Sequence, residues 1–273
     1  MSGSFHERSH GEGLMAAKIV ASQVMRYFGS KDNRVHAVGE LNLEINDGEF
    51  VCIVGPSGCG KSTFLRMVAD LIRPSDGEVR INSNKTRPAA MVFQDYSIYP
   101  WKRVIDNARF GLDIDGVPKK EGNERALKYL AKLGLADRAR SYPATLSGGM
   151  KQRVAIARAL AVEPEILLMD EPFAAVDAQL REILQEELLA LWQADQRTVL
   201  FITHSLDEAI LLADRVLVMS ARPGRIIADI KVPFARPRDP SVRSSAEFAK
   251  LEGELRELLR NEVNSHLASL EAK

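Results

Sequence analysis

The sequence predicts an α/β protein built on a mainly parallel sheet, with an antiparallel β-subdomain beside it and an α-helical subdomain inserted into the chain. Three observations carry that prediction. Phe50-Val51-Cys52-Ile53-Val54, Ile166-Leu167-Leu168-Met169 and Val199-Leu200-Phe201-Ile202 are unbroken apolar runs bounded by polar residues or glycine, as expected of strands covered on both faces. Residues 18–28 and 41–46 instead alternate apolar and polar side chains, the pattern of strands with one wet face. Between Gln94 and Ile166 the period becomes helical, with Leu127, Leu130, Ala131 and Gly134 on one stripe.

In chain order, residues 1–17 read as a disordered tail, with Met15 as an alternative start. Residues 1–13 are polar and the apolar run after them is broken by Lys18, so no secretory leader is expected. The main domain is placed at residues 18–230, with its helical insert at about 95–160. Leu180, Ile183, Leu184, Leu188, Leu191 and Trp192 mark an amphipathic helix, and residues 216–219 and 226–230 are short strands around Pro223-Gly224. Residues 231–243 hold three prolines and four basic residues, which predicts an extended linker rather than packed structure. A terminal amphipathic helix follows. Ser244-Ser245-Ala246-Glu247 has capping-box spacing, and Phe248, Leu251, Leu255, Leu258, Leu259, Val263, Leu267 and Leu270 recur every three or four residues. Docking of this helix on its own domain is expected, with a partner-binding helix as the alternative.

Composition removes several function classes. Lys plus Arg and Asp plus Glu are equal at 37 each in 273 residues, so no excess positive field exists to hold nucleic acid. No apolar run approaches the roughly 18 residues of a spanning helix. Cys52 and Cys59 are the only cysteines and sit in one strand-loop segment, where a disulfide would distort the loop. A reducing, cytoplasmic setting is expected.

Gly55-Pro56-Ser57-Gly58-Cys59-Gly60-Lys61-Ser62 fits G-x-x-x-x-G-K-[ST]. The glycines let backbone N–H groups turn inward around phosphate oxygens, and the helix that follows, from Thr63 on, presents its positive end. Lys61 would neutralise the outer phosphates and Ser62 would put its hydroxyl on Mg²⁺. A phosphate-loop nucleotidase core is therefore expected, with ATP, or alternatively GTP, as ligand. The strand ending Met169-Asp170-Glu171 delivers two carboxylates to the carboxyl end of the sheet, where such sheets bind ligands. Asp170 suits Mg²⁺, and Glu171 suits orientation or deprotonation of the attacking water.

Leu146-Ser147-Gly148-Gly149 precedes a second helical run, with Ser147 placed to cap it. Together with the phosphate loop, this segment resembles the signature of the ATP-binding cassette (ABC) family over about residues 18–230. The resemblance implies the ABC ATPase fold and a head-to-tail homodimer in which each ATP lies between the phosphate loop of one chain and Ser147, Gly148 and Gly149 of the other. It also implies that Gln94 senses Mg²⁺ and contacts the membrane partner, and that His204 is the switch histidine touching the γ-phosphate and supporting Glu171. By the same resemblance Ala175-Val176-Asp177 is a loop with contacts across the dimer. Phe28, with Tyr27 as rival, stands where the family stacks an aromatic ring on adenine.

Only 84 residues separate Ser62 from Ser147, too few for the coiled-coil arms of chromosome-maintenance relatives. A single cassette without a spanning segment resembles a transporter ATPase whose permease is a separate chain, peripheral at the cytoplasmic face of the inner (plasma) membrane. Pro100-Trp101, Leu146 to Arg153 and Ser220-Ala221-Arg222-Pro223-Gly224-Arg225-Ile226 resemble the nitrate, sulfonate and taurine importer subfamily, which implies a periplasmic or surface substrate-binding protein as an indirect partner. An ATPase for another substrate, or a soluble regulatory ATPase, is the alternative.

Overall fold

The computed structural model describes residues 17–30 and 33–271, with side chains described as far as 264. The expected tail lies almost wholly outside the described residues, but Ala17, assigned to it, already belongs to the first strand. Strand β1 (Ala17–Phe28) pairs antiparallel with β2 (Val35–Asn46) and, on its other edge, with β4 (Asp76–Ile81), forming a three-stranded sheet. Between them, β3 (Phe50–Val54) leads through the glycine-rich loop into helix α1 (Lys61–Val68).

The second sheet has six strands. Strand β5 (Ala89–Val92) lies on its edge, followed by β6 (Ile166–Asp170), β7 (Thr198–Ile202), β3, β8 (Arg215–Met219) and β9 (Ile226–Lys231). All pairs are parallel except the β8–β9 hairpin. The apolar runs are explained by two cores. Phe50, Cys52 and Val54 point into one and Val51 and Ile53 into the other, so every position of β3 is buried.

Helices α2 (Val104–Ile114), α3 (Lys119–Lys132) and α4 (Gly148–Ala161) form the insert between β5 and β6. The face of α3 differs from the expected one. Gly122, Ala126, Tyr129 and Leu130 are buried, whereas Leu127, Ala131 and Gly134 face solvent. Two apolar stripes overlap on this helix, sharing Leu130, and packing against α2 and α4 selects the one carrying Tyr129. Helix α5 (Ala178–Asp195) likewise buries Leu184, Leu188 and Trp192 but leaves Ile183 exposed.

The segment after β9 is not a free extended linker: it ends in a 3-10 turn at Pro240–Ser244, and its arginines are tied into the domain. Helix α6 (Leu206–Leu212) ends with carbonyls that have no partner within the helix. Arg238 donates to the carbonyls of Ile210, Leu211 and Ala213 at 2.7–2.9 Å, and Arg236 donates to that of Leu212. Arg236 also pairs with Asp214 and lies 4.2 Å over the Trp192 ring. Burial, then the neighbouring Arg236, pull the Arg238 guanidinium down to about 10, which leaves it charged at neutral pH. Arg238→Ala would strip a set of buried carbonyls of their donor. A loss of about 3 kcal/mol is expected, a fall in Tm of roughly 6–12 °C. Thermal melting checks it, and an unchanged Tm would remove Arg238 from the fold's support.

Helix α7 (Ala246–Glu271) is capped one residue later than the capping-box spacing implies, because Ser245 Oγ, not Ser244, accepts from the Phe248 N–H. Phe248, Leu251 and Leu255 are buried against the domain and Val263 is exposed. Leu267 and Leu270 lie outside the described side chains. The Glu262 carboxylate accepts from the Ala221 backbone N–H at 2.9 Å, docking the helix as far as the β8–β9 turn. Among the described residues no helix is long and apolar enough to cross a membrane.

Candidate functional site

A cleft of about 390 Å³ opens at the carboxyl ends of β3 and β6, lined by Phe28, Ser57, Gly58, Gly60, Lys61, Ser62, Thr63, Gln94 and Glu171. Its floor is the loop between β3 and α1. Gly60, at the α1 N-cap, has φ +114°, and a Cβ there would meet the Ala37 carbonyl oxygen at 2.4 Å. No other residue fits. Gly55 is constrained by space instead, a Cβ falling 2.7 Å from the Met219 oxygen. Pro56 supplies a carbonyl to the lysine below, and Cys59 is buried beneath the loop, its thiol pushed up by burial.

Lys61 is 5% exposed and gives its ammonium to the carbonyls of Gly55 (2.8 Å) and Pro56 (2.9 Å). Ser62 donates its hydroxyl to Asp170 Oδ1 at 2.8 Å. These groups are 108 residues apart in the chain and meet because β3 and β6 end on the same side of the sheet. Burial pushes Asp170 up, while the Ser62 hydrogen bond and the charge of Arg66 pull it back. Next to it, Glu171 has φ +45°, a strained conformation for a non-glycine residue of the kind that gathers at working sites. Its Oε2 lies 3.4 Å from His204 Nδ1, which arrives from the loop after β7.

Phe28 lines the cleft and is 41% exposed, with Arg26 at 4.5 Å over its ring. Tyr27 instead donates its hydroxyl to Asp76 at 3.0 Å. Of the two rivals, Phe28 is therefore the one at the cleft. Sequence reading missed Arg222, Val35 and Ala37 as lining residues. Arg222 donates to the Gly58 carbonyl at 3.1 Å and brings an exposed cation to an anion site. Its only signal was a place in the Ser220 to Ile226 segment, read for kinship and not for chemistry.

Ser147, Gly148 and Gly149 are not among the residues lining this cleft. Ser147 caps α4, accepting from Met150 N–H at 3.3 Å, and Gly149 packs so closely on Leu180 that a Cβ would lie 2.2 Å from it. Gln94 also walls a second groove of about 380 Å³, with Asp95, Tyr96, Ile98, Pro100 and Lys151. Near it Trp101 is 71% exposed. Buried Asn107 pins this loop, accepting from Tyr99 N–H and donating to the carbonyls of Tyr99, Lys102 and Arg103.

A phosphate loop and Glu171 on one cleft, with Asp170 bonded to Ser62 and His204 3.4 Å from Glu171, define a nucleoside-triphosphate hydrolase. The family profile described as ABC transporter matches residues 38–174. An uncharacterized ABC transporter ATP-binding protein of Methanocaldococcus jannaschii is 47% identical over 91% of this chain and 94% of its own. The nitrate import ATP-binding protein of Synechocystis and the taurine import ATP-binding protein of Rhizobium johnstonii are each 44% identical over 86% of this chain, and over 92% and 94% of theirs. A solved dimeric ATP-binding cassette, in a post-hydrolysis state bound to ADP and Pi, superposes with a TM-score of 0.70 at 31% identity, covering 80% of this chain and all of that one. The chain belongs to the ABC transporter family and is an ATPase of it, with the α/β fold and antiparallel subdomain expected.

Proposed function

We propose that this chain is the ATP-hydrolysing subunit of an importer for a small anion or organic solute such as nitrate, sulfonate or taurine. It works as a head-to-tail homodimer on permease subunits at the cytoplasmic face of the inner membrane, fed by a substrate-binding protein. The observation that carries the reading is that Asp170 and His204, which do not themselves line the cleft, are tied to two residues that do, Ser62 (2.8 Å) and Glu171 (3.4 Å). Kinship with nitrate and taurine import proteins supports the substrate class.

In this reading the loop from Gly55 to Thr63 cradles the phosphates, Lys61 leaves its loop carbonyls for the outer phosphates, and Phe28 stacks on adenine. Ser62, Asp170 and Gln94 fit Mg²⁺, a hard cation that takes few protein oxygens and completes its shell with water and phosphate. Bound there, the ion would neutralise charge developing on the phosphate oxygens. Glu171 takes or directs the proton of the attacking water, and His204 holds Glu171 and reaches the γ-phosphate. Ser147, Gly148 and Gly149 of a second copy cover the phosphates from the other side, which explains why they miss their own cleft. Gln94, shared by the cleft and the second groove, then passes closure to the neighbouring loop of this chain around Tyr99 and Trp101, which meets the permease.

The purified full chain should release phosphate from ATP with Mg²⁺ and stop with EDTA. Release indifferent to EDTA would overturn the metal assignment, and no release even with the permease would overturn the function. For the docking surface, Trp101→Ala should lower permease copurification by about tenfold, the cost of one exposed aromatic anchor, with ATP affinity unchanged. Equal recovery of the permease would exclude Trp101 from that contact.

A further inference from the structure

We infer that Glu208, held by Gln185 and Arg243, is a positioning residue that sets the loop carrying His204. The inference rests on the reading of His204 and Glu171 as catalytic. His204 gains from such help, because its side chain is 57% exposed and its ring meets Glu171 at 3.4 Å. What fixes it is the backbone on either side.

Glu208 is a buried carboxylate in the first turn of α6. One of its oxygens accepts from the Thr203 hydroxyl and the other from Gln185 Nε2 at 3.0 Å. The Thr203 hydroxyl in turn accepts from the Ser205 backbone N–H at 3.0 Å, so its single proton is committed to Glu208. Ser205 Oγ accepts from the Glu208 N–H at 3.3 Å. Residues 203 and 205 are thus both tied to Glu208, Thr203 through the carboxylate and Ser205 through the backbone N–H and the Thr203 hydroxyl, with His204 between them.

The lock continues outward. Gln185 is buried on α5, the helix that Asp177 caps, and its carbonyl oxygen accepts from Arg243. Arg243 belongs to the segment after β9 and also donates Nε to both Asp207 oxygens at 3.1 and 3.2 Å. Arg181, in the first turns of α5, lies 3.9 Å from Glu208. Thr203, Gln185, Glu208 and Arg243, like His204 itself, do not line the nucleotide cleft, and the hydrogen bonds of Thr203 tie Glu208 to the loop that carries His204. Burying a carboxylate where an apolar residue would pack is costly, and burial raises its pKa.

The test is ATPase kinetics of the full chain for Glu208→Gln, Thr203→Val, Thr203→Ser and Arg243→Ala, each also made in a His204→Ala background, with melting curves alongside. Glu208→Gln and Thr203→Val should each lower kcat about tenfold with KM for ATP within about twofold, and Arg243→Ala should lower it about threefold. Thr203→Ser, which keeps the hydroxyl, should stay within about twofold of wild type. In the His204→Ala background none should cause further loss, since residues acting as one unit do not add. Should Glu208→Gln melt early, Thr203→Val against Thr203→Ser decides. Unchanged kcat in Glu208→Gln and Thr203→Val beside an impaired His204→Ala, or losses that multiply with it, overturns the inference alone. Normal hydrolysis by His204→Ala overturns the reading of the site and the inference with it.

Discussion

Glu171→Gln is expected to slow ATP hydrolysis by about 100-fold or more while leaving ATP bound, the range lost when a positioned general base is removed. The amide keeps the shape of the carboxylate and can still sit 3.4 Å from His204, but it cannot take a proton. ATP is then held without being consumed. Two copies should remain closed around it, so size-exclusion chromatography should show an ATP-dependent dimer in the variant that the wild type forms only transiently. A variant that stays monomeric with ATP and hydrolyses it at the normal rate would remove Glu171 from the base position.

Lys61→Ala is expected to weaken ATP binding itself. The ammonium is buried and already makes two hydrogen bonds to loop carbonyls, so the site is built to hold a cation against the loop. Bonds to phosphate oxygens pair opposite charges where bonds to carbonyls do not, so the exchange gains only part of their gross strength of about 1.5–3 kcal/mol each, and losing it should raise Kd for ATP at least about tenfold. Equilibrium binding of a fluorescent ATP analogue measures this directly. The two variants therefore separate cleanly, one binding more weakly and the other binding without turnover. If Lys61→Ala bound ATP within a few-fold of wild type, the loop would not be the principal phosphate grip.

Much of the site was legible because its chemistry is local in the chain. Residues 55–62 need no distant partner to be read as a phosphate binder, and Met169-Asp170-Glu171 announces itself as a buried strand ending on carboxylates. The rest depends on which surface a residue meets. Ser245, not Ser244, caps α7 because only its hydroxyl reaches the Phe248 N–H. On α3, periodicity marks two overlapping stripes, and only the helices packed against it choose Tyr129 over Leu127. Tyr27 and Phe28 are adjacent aromatics on an alternating strand, and which one faces the cleft is a matter of register against β2 and β4.

The segment after β9 shows the same limit most sharply. Proline and arginine in close succession have the composition of a solvated linker, and composition carries no record of the unpaired carbonyls at the end of α6 that these arginines cap. Taken alone, then, the chain determines that it is a phosphate-loop nucleotidase of α/β architecture, since apolar period and a contiguous motif are written in neighbouring residues. Tertiary structure alone decides that Arg236, Arg238 and Arg243 belong to the working domain, and that Ser147 stands away from the cleft in its own chain. Those are relations between residues far apart in sequence, and they exist only once the backbone has closed and its polar groups have found their partners.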